Sequence, residues 1–195
     1  MAGFPLDPRF SRAILASGEL KCSKEVVDIV SALSASSRLF LGVPNDDSSS
    51  VGSREKFKHP SGDHCTILNA FRAYQEVISS GSSGEAKTWC ARNFLNERAL
   101  SEAMEIRRQL KGICKQIGID TNLSCGGQAQ QILRCLILGL VQNAAFIQPN
   151  GLYKQVMGPS VSYAFGLIES THGSPGYENT PRFSGRTNTS HSNYL

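Results

Sequence analysis

No stretch of this 195-residue chain is long and apolar enough to cross a membrane as a helix. The longest apolar run, Cys135 to Val141, has seven residues, where a span needs about 18. The N-terminus has no basic region leading into an apolar stretch, so a secreted protein is not expected. Cysteine is present but forms no C-x-x-C pair among its six copies, and zinc-ligand spacing is absent. With 40% hydrophobic residues the chain does not need a disulfide framework in place of a core, so reduced, packing cysteines in a cytosolic or nuclear compartment are expected. Missing too are a glycine-rich phosphate loop followed by Lys-Ser/Thr, the G-x-S-x-G and H-E-x-x-H patterns, and paired carboxylates in an apolar frame. Four histidines remain. His172 and His191 lie in a polar C-terminal stretch, and His64 beside Cys65 makes a nucleophile pair on paper but sits better as a helix-start residue. These absences leave little for catalysis by this chain alone, and no catalytic, cofactor or metal residue is assigned.

What is present is unevenly placed positive charge. The net charge is +4, yet residues 1–86 hold nine Lys/Arg against ten Asp/Glu, whereas residues 87–115 hold seven against three. The excess therefore lives in 29 residues. A local basic surface is a footprint for polyanions, and it is also common on ordinary solvated helices.

Mainly α structure is expected. Asp7-Pro8 starts a helix, since Asp caps free backbone N–H groups and Pro lacks one to leave unpaired. That helix is expected to end at Gly18. Ser23 should cap a second helix to about Ser36, with Val26, Ile29, Val30 and Leu33 inward and Lys24, Glu25, Asp28, Ser31 and Ser34 outward. The pair could be a helix-turn-helix, but that outward set is weakly basic and partly acidic, so packing is the better account. Asn45–Ser53 reads as a flexible loop, and Arg54, Lys56, Lys58 and His59 after it are either a solvated edge or phosphate contacts. Pro60, Gly62 and Asp63 turn the chain into a helix with Ile67, Leu68, Phe71, Tyr74 and Ile78 on its apolar stripe, closed by a Ser/Gly hinge at 79–84. A further helix holds Trp89, Cys90, Phe94 and Leu95, with Trp89 read as a core anchor. Asn96 caps a long helix, Glu97 to Ile117, closed by Gly118. Leu100, Ala103, Ile106, Leu110, Ile113 and Ile117 form its seam, and Arg107, Arg108, Lys111 and Lys115 fall on one flank away from Glu102 and Glu105. Such a stripe suits a phosphate backbone. Gln128 to about Ala145 should be a central buried helix, apolar nearly all round. Phe146-Ile147, a Pro149-Asn150-Gly151 turn and Leu152–Val156 read as a hairpin. After Gly158 the pattern dissolves, and 171–195 reads as disordered.

These residues, in this order, resemble a known family. Met1–Arg9 (MAGFPLDPR), Cys22–Ser34 (CSKEVVDIVSALS), Gly62-Asp63-His64-x-Thr66-x-Leu68-Asn69, Trp89-Cys90-x-x-Asn93-Phe94 and Arg107-x-Gln109-Leu110 look like the C-terminal helicase-associated region of DEAH-box ATP-dependent RNA helicases. The resemblance covers residues 1 to about 156. It implies a partial winged helix (1–40), a flexible loop (41–54), a ratchet-like helical bundle (55–145), a truncated OB-type start (146–165) and a disordered tail (166–195). It also implies that the chain contacts and guides RNA without ATPase activity of its own. ATP and magnesium would belong to two RecA-like motor domains, whose motifs are absent from this sequence. The implied partners are RNA, those motor domains and a G-patch-type activator protein, and the implied location is nuclear or nucleolar, or cytoplasmic. The RNA contacts would be Arg54, Lys56, Lys58, His59, Arg107, Arg108, Lys111 and Lys115. In the family the Met-Ala-x-Phe-Pro string lies inside the winged helix, so a fragment, an isoform or an incomplete gene product is the expectation. The rival readings are a protein-interaction module and a truncated product without an independent role.

Overall fold

The computed structural model describes residues 6–41, 55–80, 83–147, 149, 153–156 and 162–163. The expected loop at 45–53, Arg54, the tail from 166 and residues 81–82 of the expected 79–84 hinge lie outside the described residues, whereas residues 79–80 and 83–84 of that hinge are helical. Within them run six α-helices: α1 Pro8–Glu19, α2 Ser23–Leu33, α3 Asp63–Ser80, α4 Ser83–Arg92, α5 Glu97–Gln116 and α6 Ala129–Leu140. A 3-10 turn, Val141–Asn143, follows α6. Then come β1 Ala145–Ile147, β2 Tyr153–Gln155 and β3 Ser162–Tyr163, an antiparallel sheet in the order β1-β2-β3. The mainly helical class is as the sequence implies. The hairpin forms with Phe146 opposite Lys154, and β3 adds a strand beyond the point where the sequence pattern dissolves.

Local chemistry explains the helix starts. Asp7 accepts the Arg9 N–H at 2.9 Å beside Pro8, and Asn96 accepts the Ala99 N–H ahead of α5. Gly62, at φ +106, makes the turn into α3, a conformation that side chains with a Cβ resist. Thr66 Oγ1 then accepts from the His59 N–H, and the Asn69 amide donates to the Phe57 carbonyl, which clamps the lead-in onto α3.

Two helix-boundary expectations are corrected. Gly18 does not end α1. The helix runs on to Glu19, and Lys21 takes the left-handed position (φ 53) that glycine usually fills. Ser23 does not cap α2 either. Cys22 sits at the cap without a side-chain bond, while the Ser23 hydroxyl donates to the Asp120 carbonyl and the Lys24 N–H to that of Leu123. The loop after α5 thus supplies the cap from a distance. Phe94 and Leu95 are also not helical: Phe94 has φ 51, and Leu95 bridges Phe40.

The central helix is α2, not α6. Nine of its eleven residues are buried. Val26, Val27, Ile29 and Val30 join Phe10, Ile14, Leu110, Cys114, Ile132 and Leu136 in one cluster, while Ala32 joins Phe71, Tyr74, Cys90, Leu100 and Ala103 in a second. Helices α2 and α5 run through both. Trp89 packs edge-on to Phe57, with ring centroids 6.0 Å apart, as a core anchor should. The thiols of Cys22 and Cys135 share a hydrogen bond at 3.2 Å and no disulfide, and all six cysteines are free. Among the described residues only one face of α6 is covered. Ile137 and Leu138 are 59% and 45% exposed, against the expectation of burial all round. Ile78 and Ile117, expected on buried stripes, likewise reach solvent.

Gly139 shows how closely α1 and α6 cross. A Cβ there would lie 2.3 Å from the Arg9 carbonyl oxygen and 2.9 Å from the Ala13 Cβ. Gly112, mid-helix in α5, has nothing within 4 Å. Gly139→Ala is therefore expected to destabilise by about 1–3 kcal/mol through overpacking. Gly112→Ala should stabilise by roughly 1 kcal/mol through helix propensity. Chemical denaturation of the two variants should give midpoints that move in opposite directions.

Candidate nucleic-acid interface

The basic flank of α5 is not the uniform stripe that its helical wheel suggests. Arg107 turns inward, and its Nε donates to the Asp28 carboxylate on α2, a side chain only 1% exposed. Arg108 is 74% exposed but grips Glu105 with two hydrogen bonds of 3.0 and 2.6 Å. Those bonds, then one from Gln109, hold the Glu105 carboxyl down to about 2. The expected separation of Glu105 from the basic flank is thus corrected: three residues apart on a helix are neighbours, and the pair forms. Lys111 is half-buried. Burial first, and then the Arg107 charge, lower its proton affinity, Lys24 adds to this, and Asp28 opposes it. Lys115 is exposed in the last turn of α5.

The outward set expected on α2 is also corrected. Glu25, Asp28 and Ser31 are fully buried, and of the expected outward positions Lys24 is the exposed one. Two buried acids on one helix need counter-charges. Glu25 receives Arg72 Nη2 from α3 at 2.7 Å, the Ser124 hydroxyl at 2.6 Å and the Cys125 N–H. Burial pushes the Glu25 carboxyl up, but the Ser124 bond, its own backbone N–H, Arg72 and Cys125 together outweigh it and leave the group below its ordinary value. Asp28 receives Arg107. Between α2, α3 and the 120–128 loop these residues leave a cleft of about 610 Å³, with Lys24, Asp28, Arg72, Gln75, Ser124, Gly126 and Gly127 on its walls.

The described part of the lead-in, residues 55–59, carries its own basic side chains. Lys56 is exposed, Lys58 pairs with Glu55 at 2.8 Å, and His59 Nδ1 accepts from the Ser61 N–H. The residues brought together are therefore Arg107, Lys111 and Lys24. Sequence reasoning did not bring Lys24 and Arg72 into the candidate site, because no period within one helix places α2 beside α3 and α5. His64 and Cys65 make a poor nucleophile pair. Burial lowers the imidazole's proton affinity and raises the thiol's pKa, the reverse of what a thiolate–imidazolium pair needs. Among the described residues no group of His, Cys, Asp and Glu can hold a metal ion, and no helix is long and apolar enough to cross a membrane.

Residues 7–67 match the family described as helicase associated domain (HA2), ratchet-like. The chain is 36% identical over 153 residues to the ATP-dependent RNA helicase DHX33 of Homo sapiens, covering 78% of this chain and 20% of that protein. It is 36% identical over 154 residues to its Mus musculus counterpart, covering 78% and 21%. With the Drosophila melanogaster protein of the same name it shares 31% over 158 residues, covering 81% and 22%. The chain is thus homologous to the helicase-associated region of DEAH-box RNA helicases, and it spans about one fifth of the length of the curated relatives it matches.

Two outcomes follow from the buried pairs. Arg107→Ala strands a buried carboxylate and is expected to cost about 3–5 kcal/mol of stability in urea unfolding. For Glu25 the folded pKa lies below the unfolded one, so its contribution is full above the ordinary carboxylate value and is lost as pH falls through the lowered one. The melting temperature should fall with acidification across that window more steeply in wild type than in Glu25→Gln.

Proposed function

We propose that this chain is an RNA-guiding accessory region of a DEAH-box RNA helicase, acting by phosphate attraction and without ATPase chemistry of its own. The observation that carries the reading is the cluster of Lys24, Lys111 and Arg107 where α2 and α5 meet, with Lys115 one turn further along. Arg107 positions the two helices, and the lysines and the outer Arg108 meet the RNA backbone. Lys56, Lys58 and His59 form a lesser contact, with Arg54 beside them in sequence. ATP and its magnesium belong to the motor domains of the whole protein. The division into a winged-helix portion (1–40), a bundle (55–145) and an OB-type start (146–165) is part of the same proposal, as is a nuclear or nucleolar location.

Single-stranded RNA should bind with modest affinity, little sequence dependence on the backbone side and a marked salt dependence. Lys111→Ala with Lys115→Ala should lower the slope of log affinity against log salt by roughly 0.7 for each phosphate left without its lysine. Fluorescence anisotropy over a salt series measures this. An unchanged slope in the double variant, or no binding at low salt, removes the reading.

A second reading, an interaction surface for a motor domain or a G-patch-type activator, draws on one specific observation: the exposed Ile137 and Leu138 of α6. A G-patch peptide retained by wild type and released by Ile137→Ser with Leu138→Ser would favour it over RNA as the main partner.

A further inference from the structure

Arg108 differs from the other cations of α5 in how it is held. Its side chain is 74% exposed, yet Nε and Nη2 both bond to the Glu105 carboxylate, at 3.0 and 2.6 Å. Gln109 Nε2 also bonds Glu105 Oε1, at 3.1 Å, so the acceptor is itself anchored. Two such bonds fix the orientation of a guanidinium as well as its position. They run in the plane of the group, so neither of its faces is used by them. A helical side chain leans back over the preceding turn, which sets Arg108 over Met104 and Glu105. These three residues, with Ser101, Arg107 and Lys111, line a groove of about 540 Å³, within the range of sites for small ligands. Met104 packs against the second core cluster and is half-buried, so it forms a fixed apolar wall. Its sulfur also suits contact with an aromatic ring. Lys111, one turn beyond Arg108, stands about 4.5 Å further along the helix axis. Because Glu105 already matches the charge of Arg108, what this residue chiefly offers a passing strand is a held, solvent-facing plane.

Resting on the RNA-guiding reading above, we propose that the Arg108–Glu105 pair is a stacking platform for one unpaired nucleobase of the bound strand, with Met104 as the apolar wall of its groove and Lys111 on the adjoining phosphate. Bases splayed out of a single strand stack on guanidinium planes as they do on aromatic rings, and the positive charge adds a cation–π attraction. The contact favours purines, whose two fused rings cover more of the plane, and it leaves the pairing edge of the base unread. Arg108 Nη1 takes part in neither bond to Glu105, so it remains for the strand's phosphates while the plane carries the base.

Anisotropy titrations of the full chain with three labelled single strands test this: an abasic ribose-phosphate strand, the same strand carrying one adenosine, and the same strand carrying one uridine. The adenosine strand should bind roughly tenfold more tightly than the bare strand, the size of one stacked base, with the uridine strand between them. Arg108→Lys keeps the charge and removes the plane, so the three affinities should converge while the salt slope stays as it was. Glu105→Ala releases Arg108. The adenosine preference should then shrink while the bare strand binds more tightly, an opposition that a purely electrostatic role for the pair does not produce. Lys111→Ala should weaken all three by the same factor. Equal wild-type affinities for the three strands, a preference for uridine, or an adenosine preference that survives Arg108→Lys overturn the platform and leave the RNA-guiding reading standing. Absence of binding to every strand at low salt overturns that reading, and the platform with it.

Discussion

Two carboxylates on the most buried helix govern how the rest of the chain is arranged. Glu25 and Asp28 lie three residues apart on α2, both fully buried. Each has to find a cation in its folded setting. Arg72 on α3 and Arg107 on α5 provide them, from positions 47 and 79 residues downstream. A buried ion pair adds little net stability, because desolvation takes back most of the Coulomb gain, yet breaking one costs about 3–5 kcal/mol. The pairs therefore act on geometry more than on depth of stability. Sliding α3 along α2 by one turn would keep much of the apolar burial but take Arg72 from Glu25, and sliding α5 would take Arg107 from Asp28. Register is fixed by charge, and the core clusters fill in around it.

The same pairs decide which positive charges reach solvent. Arg107 is spent inward and Arg108 is neutralised by Glu105, so two of the four cations on the α5 flank have their charge largely matched within the protein. Lys111 sits next to Arg107 and Lys24, half-buried and with lowered proton affinity. An arriving phosphate would relieve that strain, since it restores the counter-charge that burial and neighbouring cations withhold. The useful surface is thus smaller than the net charge of residues 87–115 suggests, and it is concentrated where α2 and α5 meet.

Much of the local structure is legible in the sequence because it is decided locally. The Asp7 and Asn96 caps, the Gly62 and Gly118 turns, the apolar seam of α5 around Leu100, Ala103 and Leu110, and the hairpin at 145–155 each depend on a few adjacent residues. What depends on distant partners is not legible. Helical periodicity assigns charged residues to the solvent side, so it places Glu25 and Asp28 outward although Arg72 and Arg107 bury them. Ser23 alone suggests the α2 start, although the cap comes from the Asp120 and Leu123 carbonyls. Apolar content makes α6 look central, but burial requires something on the other side, and the described residues cover only one face of it. The candidate site divides in the same way: the sequence points to its α5 members but not to Lys24 and Arg72.

As a proposed phosphate contact, the described lead-in at 55–59 ranks below α5 on physical grounds, although both are basic in sequence. Its backbone is rigid enough to present charge, for Phe57 is buried against Phe40 and Trp89, and Thr66 and Asn69 bond the main chain of His59 and Phe57. But Lys58 shares its charge with Glu55, and His59 uses Nδ1 within its own turn. Exposed pairs of this kind are worth about 0–1 kcal/mol, so a phosphate can displace Glu55 at small cost. The gain is equally small, because the patch sits in full solvent and its field is screened over roughly 8–10 Å in physiological salt. Lys111 and Lys24 lie beside low-dielectric protein, where the same charges act more strongly. On the proposed RNA-guiding reading, a strand that touches both patches would take most of its affinity from α5, with the lead-in adding little.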